Sequence, residues 1–308
     1  MKKVLVTGAG GTIGLNLIKY LLAEGKYEIT ALDLKNKQIF KRLKKYNKRI
    51  NIIYSDVLDC NLIDALVKEH DVVIHLASCL PPFSEYKKGL SDIIDYNSTE
   101  NIVRSISFYN PKCYLIYAST TSLYEGESTS SSPVKVNEGE YFNKAKYKSE
   151  KLIIKKLKNY TIIRVPLVLG DLRSDNFIYN LSNGDLETIT KEDAAYAFCK
   201  CIDKEKELSK KVINIGGGET CRINSKELFN NILKYHGISY KYILNRLFGI
   251  HNYDSPYLLD SDKSNEILEY RNDSIQSYFM RQKRRSYKRK LPIFFAKINL
   301  FFRERKNK

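Results

Sequence analysis

The segment TGAGGTIG sets Gly8, Gly11 and Gly14 at three-residue intervals. They lie between the apolar run KKVLVTG and a stretch with Ile13, Leu17, Ile18, Leu21 and Leu22 at helical spacing. Glycines in that order do three jobs at a strand-to-helix turn. One permits a tight turn, one lets the backbone approach a pyrophosphate, and one lets helix and strand pack closely. The first helical turn, at Thr12 and Ile13, then offers N–H groups and the positive end of the helix dipole to phosphate oxygens. Asp33 closes the next apolar run, YEITALD, 19 residues after Gly14. A carboxylate there accepts hydrogen bonds from the adenosine ribose hydroxyls and repels a 2′-phosphate, which points to NAD rather than NADP. Lys35 and Lys37, just beyond, could soften that repulsion.

Such a site needs a sheet to hold it. Short β-rich runs recur along the chain: KKVLVTG, YEITALD, INIIYSD, DVVIHLA, CYLIYAS, TIIRVPLVLG and KVINIGGG. Several are apolar almost throughout, as strands buried on both faces must be. Helical patterns alternate with them, which predicts an α/β fold with a doubly wound parallel sheet of the Rossmann type. Residues 1–170 are expected to form this dinucleotide-binding domain. Residues 171–280, less regular, are expected to form a smaller substrate-binding region interleaved with the last strands. Residues 281–308 read as a separate tail.

The net charge of +17 sits mostly in that tail, which carries 12 Lys/Arg against one Glu. Phe294, Phe295, Ile298, Phe301 and Phe302 form a helix-compatible apolar stripe flanked by the basic residues. Such a stripe suits an anionic membrane surface, and equally packing against the body or a second subunit. The 23 tyrosines are scattered without a basic stacking pattern, so no nucleic-acid partner is expected. The six cysteines form no CxxC pair, and Cys199 and Cys201 do not have metal-ligand spacing. MKK is followed by glycines before any long apolar region, and no run approaches the roughly 18 apolar residues of a membrane span. A reduced, cytoplasmic protein is expected.

The glycine spacing, G-x-x-G-x-x-G, resembles the extended short-chain dehydrogenase/reductase family, and within it the nucleotide-sugar epimerase/dehydratase group. YSDVLD resembles the family's third-strand segment, which implies Asp56 on the adenine amino group and Val57 on its ring. VVIHLAS resembles the fourth-strand signature, with Leu76 and Ala77 beside the cofactor. DYNSTENIV resembles the following helix, with Asn97 at its asparagine. INIGGGETCRINSKELFNNI and LLDSDKSNEILEY resemble later segments, so the likeness spans about residues 3–280. It implies NAD as cofactor, a nucleotide-diphosphate sugar as substrate, surface polysaccharide synthesis as the setting, and a homodimer.

In this family a Ser/Thr, a Tyr and a Lys share the work. The tyrosine exchanges a proton as hydride moves to or from the nicotinamide. A free phenol titrates near 10, and a lysine one helical turn away favours the phenolate. Resemblance of IYASTTSLYEG to the fifth-strand motif implies Thr120 as the orienting hydroxyl, with Ser119 and Thr121 as alternatives. Thr121 and Ser122 replace the acids that dehydrating and decarboxylating members carry, which leaves epimerisation or ketone reduction. In EYFNKAKYKSEKL, Glu150 lies four residues after Lys146 and Arg164 lies 18 after it; both match intervals of the family, so the resemblance implies Lys146 as the lysine. The tyrosine position then falls on Phe142. Three explanations stand: Tyr141 as a displaced proton carrier, a shifted pair Tyr147–Lys151, or loss of catalysis. Leu167 replaces a substrate-touching asparagine, and Arg173 is a candidate for diphosphate recognition. Asp193 is expected to cap a helix, and His75 to be a positioned core histidine at the sheet's edge.

Overall fold

The computed structural model describes residues 1–81, 84, 89–124, 128–134, 136, 140–170, 184–236 and 260–287. Arg173, residues 125–127 and the tail beyond 287 lie outside these residues.

The first half alternates as expected. β1 (Lys2–Thr7), α1 (Thr12–Glu24), β2 (Tyr27–Asp33), α2 (Lys37–Leu43), β3 (Asn51–Tyr54), α3 (Cys60–Glu69) and β4 (Val72–His75) follow in turn. A π-helical turn at Asp92–Asn97 runs into α4 (Ser98–Tyr109), followed by β5 (Tyr114–Thr120), α5 (Tyr141–Lys156) and β6 (Tyr160–Val165). Then come β7 (Leu167–Leu169), β8 (Asp185–Thr190), α6 (Lys191–Asp203), α7 (Glu205–Leu208), β9 (Lys211–Asn214), β10 (Arg222–Asn224), α8 (Ser225–His236), α9 (Ser261–Leu268) and α10 (Ile275–Tyr287).

A 7-stranded sheet has the order β3-β2-β1-β4-β5-β6-β9, and every pair in it is parallel. The chain reverses its direction of travel across the sheet between β1 and β4, which opens a crevice at their carboxyl ends. Side chains alternate between two cores. Val4, Val6, Ile74 and Ile116 pack with Leu17, Leu21 and Phe198 on the α1/α6 side. Leu5, Val73, Leu115 and Tyr117 pack with Ile63, Ile102 and Ile153 on the α3/α4/α5 side. Two covered faces explain why these strands read as continuous apolar runs.

Three expectations need correction. TIIRVPLVLG is two strands, not one. Pro166 has no N–H to give a ladder, so β6 stays in the large sheet while β7 pairs with β8 in a 3-stranded sheet, β10-β8-β7. Asp193 is not the cap of α6. The Thr190 hydroxyl accepts from the Asp193 N–H at 3.2 Å, and the Asp193 carboxylate instead accepts the N–H groups of Asn272 and Asp273, both at 3.1 Å. His75 is buried, but on a central strand between β1 and β5 rather than at an edge. All six cysteines are free, and among the described residues no cluster suits a metal ion and no helix is long and apolar enough to cross a membrane.

Candidate active site

The glycine turn is shaped by contacts that a side chain would fill. Gly8 has φ +67°, and a Cβ there would stand 2.7 Å from the Ala77 nitrogen. The Gly11 N–H bonds the Gly8 carbonyl at 3.0 Å and closes the turn. A Cβ on Gly14 would lie 2.5 Å from the Gly8 oxygen, so α1 rests directly on the end of β1. Gly11 precedes α1 without a side-chain cap, and the first turn holds no acidic residue. The N–H groups of Thr12 and Ile13 therefore have neither an intrahelical acceptor nor a competing carboxylate. Thr12 is exposed and Ile13 half-buried.

Asp33 ends β2 beside this turn. Its Oδ2 accepts the Gly10 N–H at 2.7 Å and its Oδ1 the Leu34 N–H at 2.8 Å. Burial raises its carboxyl pKa, against those two bonds and the nearby Arg42. Arg42, on α2, donates to the Gly10 carbonyl at 3.1 Å. Sequence reading missed it, because only the folding of α2 brings it back 32 positions onto the glycine turn. Leu76 and Ala77 abut Gly8 at the end of β4. At the end of β3, Asp56 is exposed and Val57 buried. The residues expected to hold a dinucleotide thus line the carboxyl ends of adjoining strands.

The other end of the site is built on β5 and α5. Glu150 and Arg164 clamp these elements together. Arg164 donates Nε to Glu150 Oε1 at 2.9 Å and Nη2 to Oε2 at 2.6 Å, and Ser119 Oγ donates to the same carboxylate at 2.5 Å. With α5 so fixed, its buried face carries Phe142, Asn143, Ala145, Lys146, Ser149 and Glu150. Tyr141 is half-buried at the first position of the helix. Thr120 ends β5, and its hydroxyl lies 2.8 Å from the Ser122 hydroxyl, which donates to Asn143 Oδ1 at 2.7 Å. The Asn143 amide also donates to Glu140 at 3.2 Å. Lys151 is exposed with its ammonium 4.2 Å from the Tyr147 ring centroid, so that pair sits on the outer face.

Lys146 is buried. Its Nζ donates to the Ala118 carbonyl at 3.0 Å and pairs with Asp95 Oδ1 at 3.3 Å. The ring centroids of Tyr117 and Phe142 lie 5.0 and 5.7 Å from it. Burial opposes a charge on Lys146, but Tyr117 and Asp95 outweigh it and hold its pKa above the ordinary lysine value. Asp95 was not singled out from the sequence, where Asn97 was. The π turn adds a residue to the helical repeat, so Asp95 faces inward while Asn97 is exposed. Tyr117 is fully buried, and its hydroxyl has no hydrogen-bond partner among the described residues. His75 lies between the Thr7 hydroxyl at 2.7 Å and the Ser98 hydroxyl at 3.3 Å. Burial, assisted by Lys146, lowers its pKa to about 3, so it is neutral.

A parallel sheet in this order, with a glycine turn, an acidic residue ending β2 and a lysine under β5, defines a Rossmann-type fold. The model of the 3-beta hydroxysteroid dehydrogenase/isomerase family matches residues 5–165, and the chain belongs to that family. The proteins it resembles include nucleotide-sugar enzymes. It is 33% identical over 128 residues to a UDP-N-acetyl-alpha-D-glucosaminuronate decarboxylase of Bacillus cytotoxicus, covering 40% of this chain and 38% of the relative. It is 24% identical over 257 residues to the bifunctional polymyxin resistance protein ArnA of Wigglesworthia glossinidia brevipalpis, covering 70% of this chain and 38% of that one. These matches thus span about two fifths of each relative's length. Among solved structures, a tyrosine-to-phenylalanine mutant of UDP-glucuronic acid 4-epimerase from Bacillus cereus, in complex with a fluorinated UDP-glucuronic acid and NAD, has a TM-score of 0.78 at 20% identity, covering 93% of this chain and 99% of that one. The dTDP-glucose 4,6-dehydratase of Bacillus anthracis, in complex with NAD, has a TM-score of 0.74 at 17% identity, covering 94% and 97%.

Proposed function

We propose that this chain binds NAD across the carboxyl ends of β1, β2 and β4 and acts on a nucleotide-diphosphate sugar beside Thr120 and Lys146. The reaction is reversible hydride transfer, as in epimerisation or ketone reduction. The observation that carries the cofactor half is the cradle of Gly8, Gly11 and Gly14 with Asp33 at its side. NAD, when bound, supplies the hydride acceptor and donor. The Thr12 and Ile13 N–H groups take the pyrophosphate, and Asp33 takes the ribose hydroxyls. Asp56 and Val57 hold the adenine, while Leu76 and Ala77 back the nicotinamide. Lys146 holds the nicotinamide ribose, and Thr120 orients the sugar oxygen. Tyr141 is the proton carrier. Its place at the start of α5, after the non-helical Glu140 at φ −87° and ψ 74°, leaves it less constrained than an interior residue. The sugar half is supported by the relatives, among them an epimerase bound to UDP-glucuronic acid. A homodimer, and contact of residues 281–308 with an anionic membrane surface, belong to the same proposal.

One observation favours a second reading, a non-catalytic NAD- and sugar-binding subunit. Phe142 is only 7% exposed on the same face as Lys146, where a phenol would be needed. The two readings part on turnover. Purified protein is incubated with NAD(H) and a panel of nucleotide sugars, and cofactor absorbance and sugar products are followed for wild type, Phe142→Tyr and Tyr141→Phe. Turnover by wild type that is lost in Tyr141→Phe establishes the displaced tyrosine. A wild type that binds NAD without turnover establishes the subunit reading, and absence of NAD binding overturns both.

A further inference from the structure

Lys146 is the charge beside which a phenol at position 142 would stand, one helical turn away on α5. What faces that charge is therefore decisive. The π turn contributes Asp95, with Oδ1 at 3.3 Å. β5 contributes the Ala118 carbonyl at 3.0 Å and Tyr117, whose ring centroid is 5.0 Å away. β4 contributes the neutral imidazole of His75. Glu150, the other carboxylate on the inward face of α5, is held by Arg164.

Asp95 is bound as a carboxylate. Ser78 Oγ donates to it, the Cys79 N–H donates at 3.1 Å, and Lys146 supplies the third contact. The Cys79 N–H and the Lys146 ammonium can only donate, and with the Ser78 hydroxyl they oppose the burial that raises the Asp95 carboxyl pKa. Side-chain exposure is 4% for Lys146 and 0% for Asp95, so water does not screen the pair. Opposite charges this close act on a third group as a dipole, and much of the lysine's field at position 142 is cancelled.

We propose that Asp95 is a built-in counter-charge for Lys146, so that the lysine is a fixed donor to a cofactor ribose and not the group that acidifies a phenol at position 142. Asp95 is thus a positioning residue, acting through Lys146. The ribose half rests on the NAD-binding reading above; the electrostatic half does not. It also makes Phe142 the expected companion of Asp95: with the lysine's charge balanced inside the fold, a phenol at 142 gains little support as a phenolate.

The test is an ultraviolet alkaline titration of ligand-free Phe142→Tyr, read against wild type so that the native phenols cancel. The added phenol is expected to titrate at or above the ordinary value near 10. A phenol still protonated at the pH where the fold is lost counts as not depressed. In Phe142→Tyr/Asp95→Asn, read against Asp95→Asn, it is expected to fall by roughly 1–3 pH units as the lysine's charge is freed. A phenol already a unit or more below 10 in Phe142→Tyr alone overturns the proposal, as does one unmoved by Asp95→Asn. If Asp95→Asn does not fold, the single variant still decides. NAD binding by wild type is measured separately by calorimetry. Its absence removes the functional reading and leaves the titration result standing.

Discussion

Gly14 shows how far one residue sets the cofactor end of the site. Its missing side chain is what lets α1 meet the Gly8 carbonyl, at 2.5 Å from where a Cβ would be. Backbone on both sides leaves no flexible group to yield. Gly14→Ala should push α1 off β1, cost about 1–3 kcal/mol of stability, and weaken NAD binding as the Thr12 and Ile13 N–H groups move. Urea denaturation and calorimetry on the variant check both effects together. At the reaction end, Phe142 is the residue whose chemistry matters most, because no change of its surroundings can give a phenyl ring a proton to transfer. Both residues were readable from the sequence, Gly14 from local spacing and Phe142 from the family resemblance that selects Lys146 four residues on. Asp95, Tyr117 and Arg42 were not. Their importance comes from what the fold brings beside them, a lysine 51 residues away for Asp95 and a glycine turn 32 residues away for Arg42.

At the level of elements, α5 decides which side chain faces inward beside Lys146. A one-residue step is about 100° of rotation, and it is Phe142 that is buried while Tyr141 is half-buried. The clamp of Glu150 on Arg164 and Ser119 sets that phase by tying α5 to β5 and β6. Glu150→Ala should therefore cost about 3–5 kcal/mol, because it strands a buried guanidinium. Chemical denaturation measures the loss, and a change below 1 kcal/mol would show that the clamp is not what fixes the helix. The alternation of strands and helices was legible because both faces of the sheet are covered, which leaves long apolar runs. The split at Pro166 was hidden because LVL continues the apolar pattern of TIIRV into a different sheet. The π turn was hidden too, since DIIDYN carries no signal that its phase departs from an α-helix.

Across the whole molecule, Asp193 joins the large sheet's covering layer to the chain's last described segment. It starts from α6, whose Phe198 and Ile202 pack on the sheet, and reaches the backbone of Asn272 and Asp273, just before α10. Arg281 on α10 pairs in turn with Asp273. This connection is distant in sequence, and reading Asp193 as a helix cap missed it because Thr190, three residues earlier, takes that role. Burial raises the Asp193 carboxyl to about 6 despite the two N–H bonds, whereas an unfolded aspartate titrates near 3.9. Between those values the unfolded chain holds fewer protons at this site than the folded one, so stability falls as pH rises. The contribution is complete below about pH 4 and is lost as pH climbs through about 6. In Asp193→Asn the site no longer titrates. Urea midpoints of wild type and variant, measured from pH 4 to pH 7, should diverge in one direction, with the variant gaining on wild type up to about pH 6 and holding level above it. Parallel curves would mean that the Asn272 and Asp273 amides hold the carboxylate well enough to cancel its burial, and that this joint between α6 and the C-terminal segment is insensitive to pH.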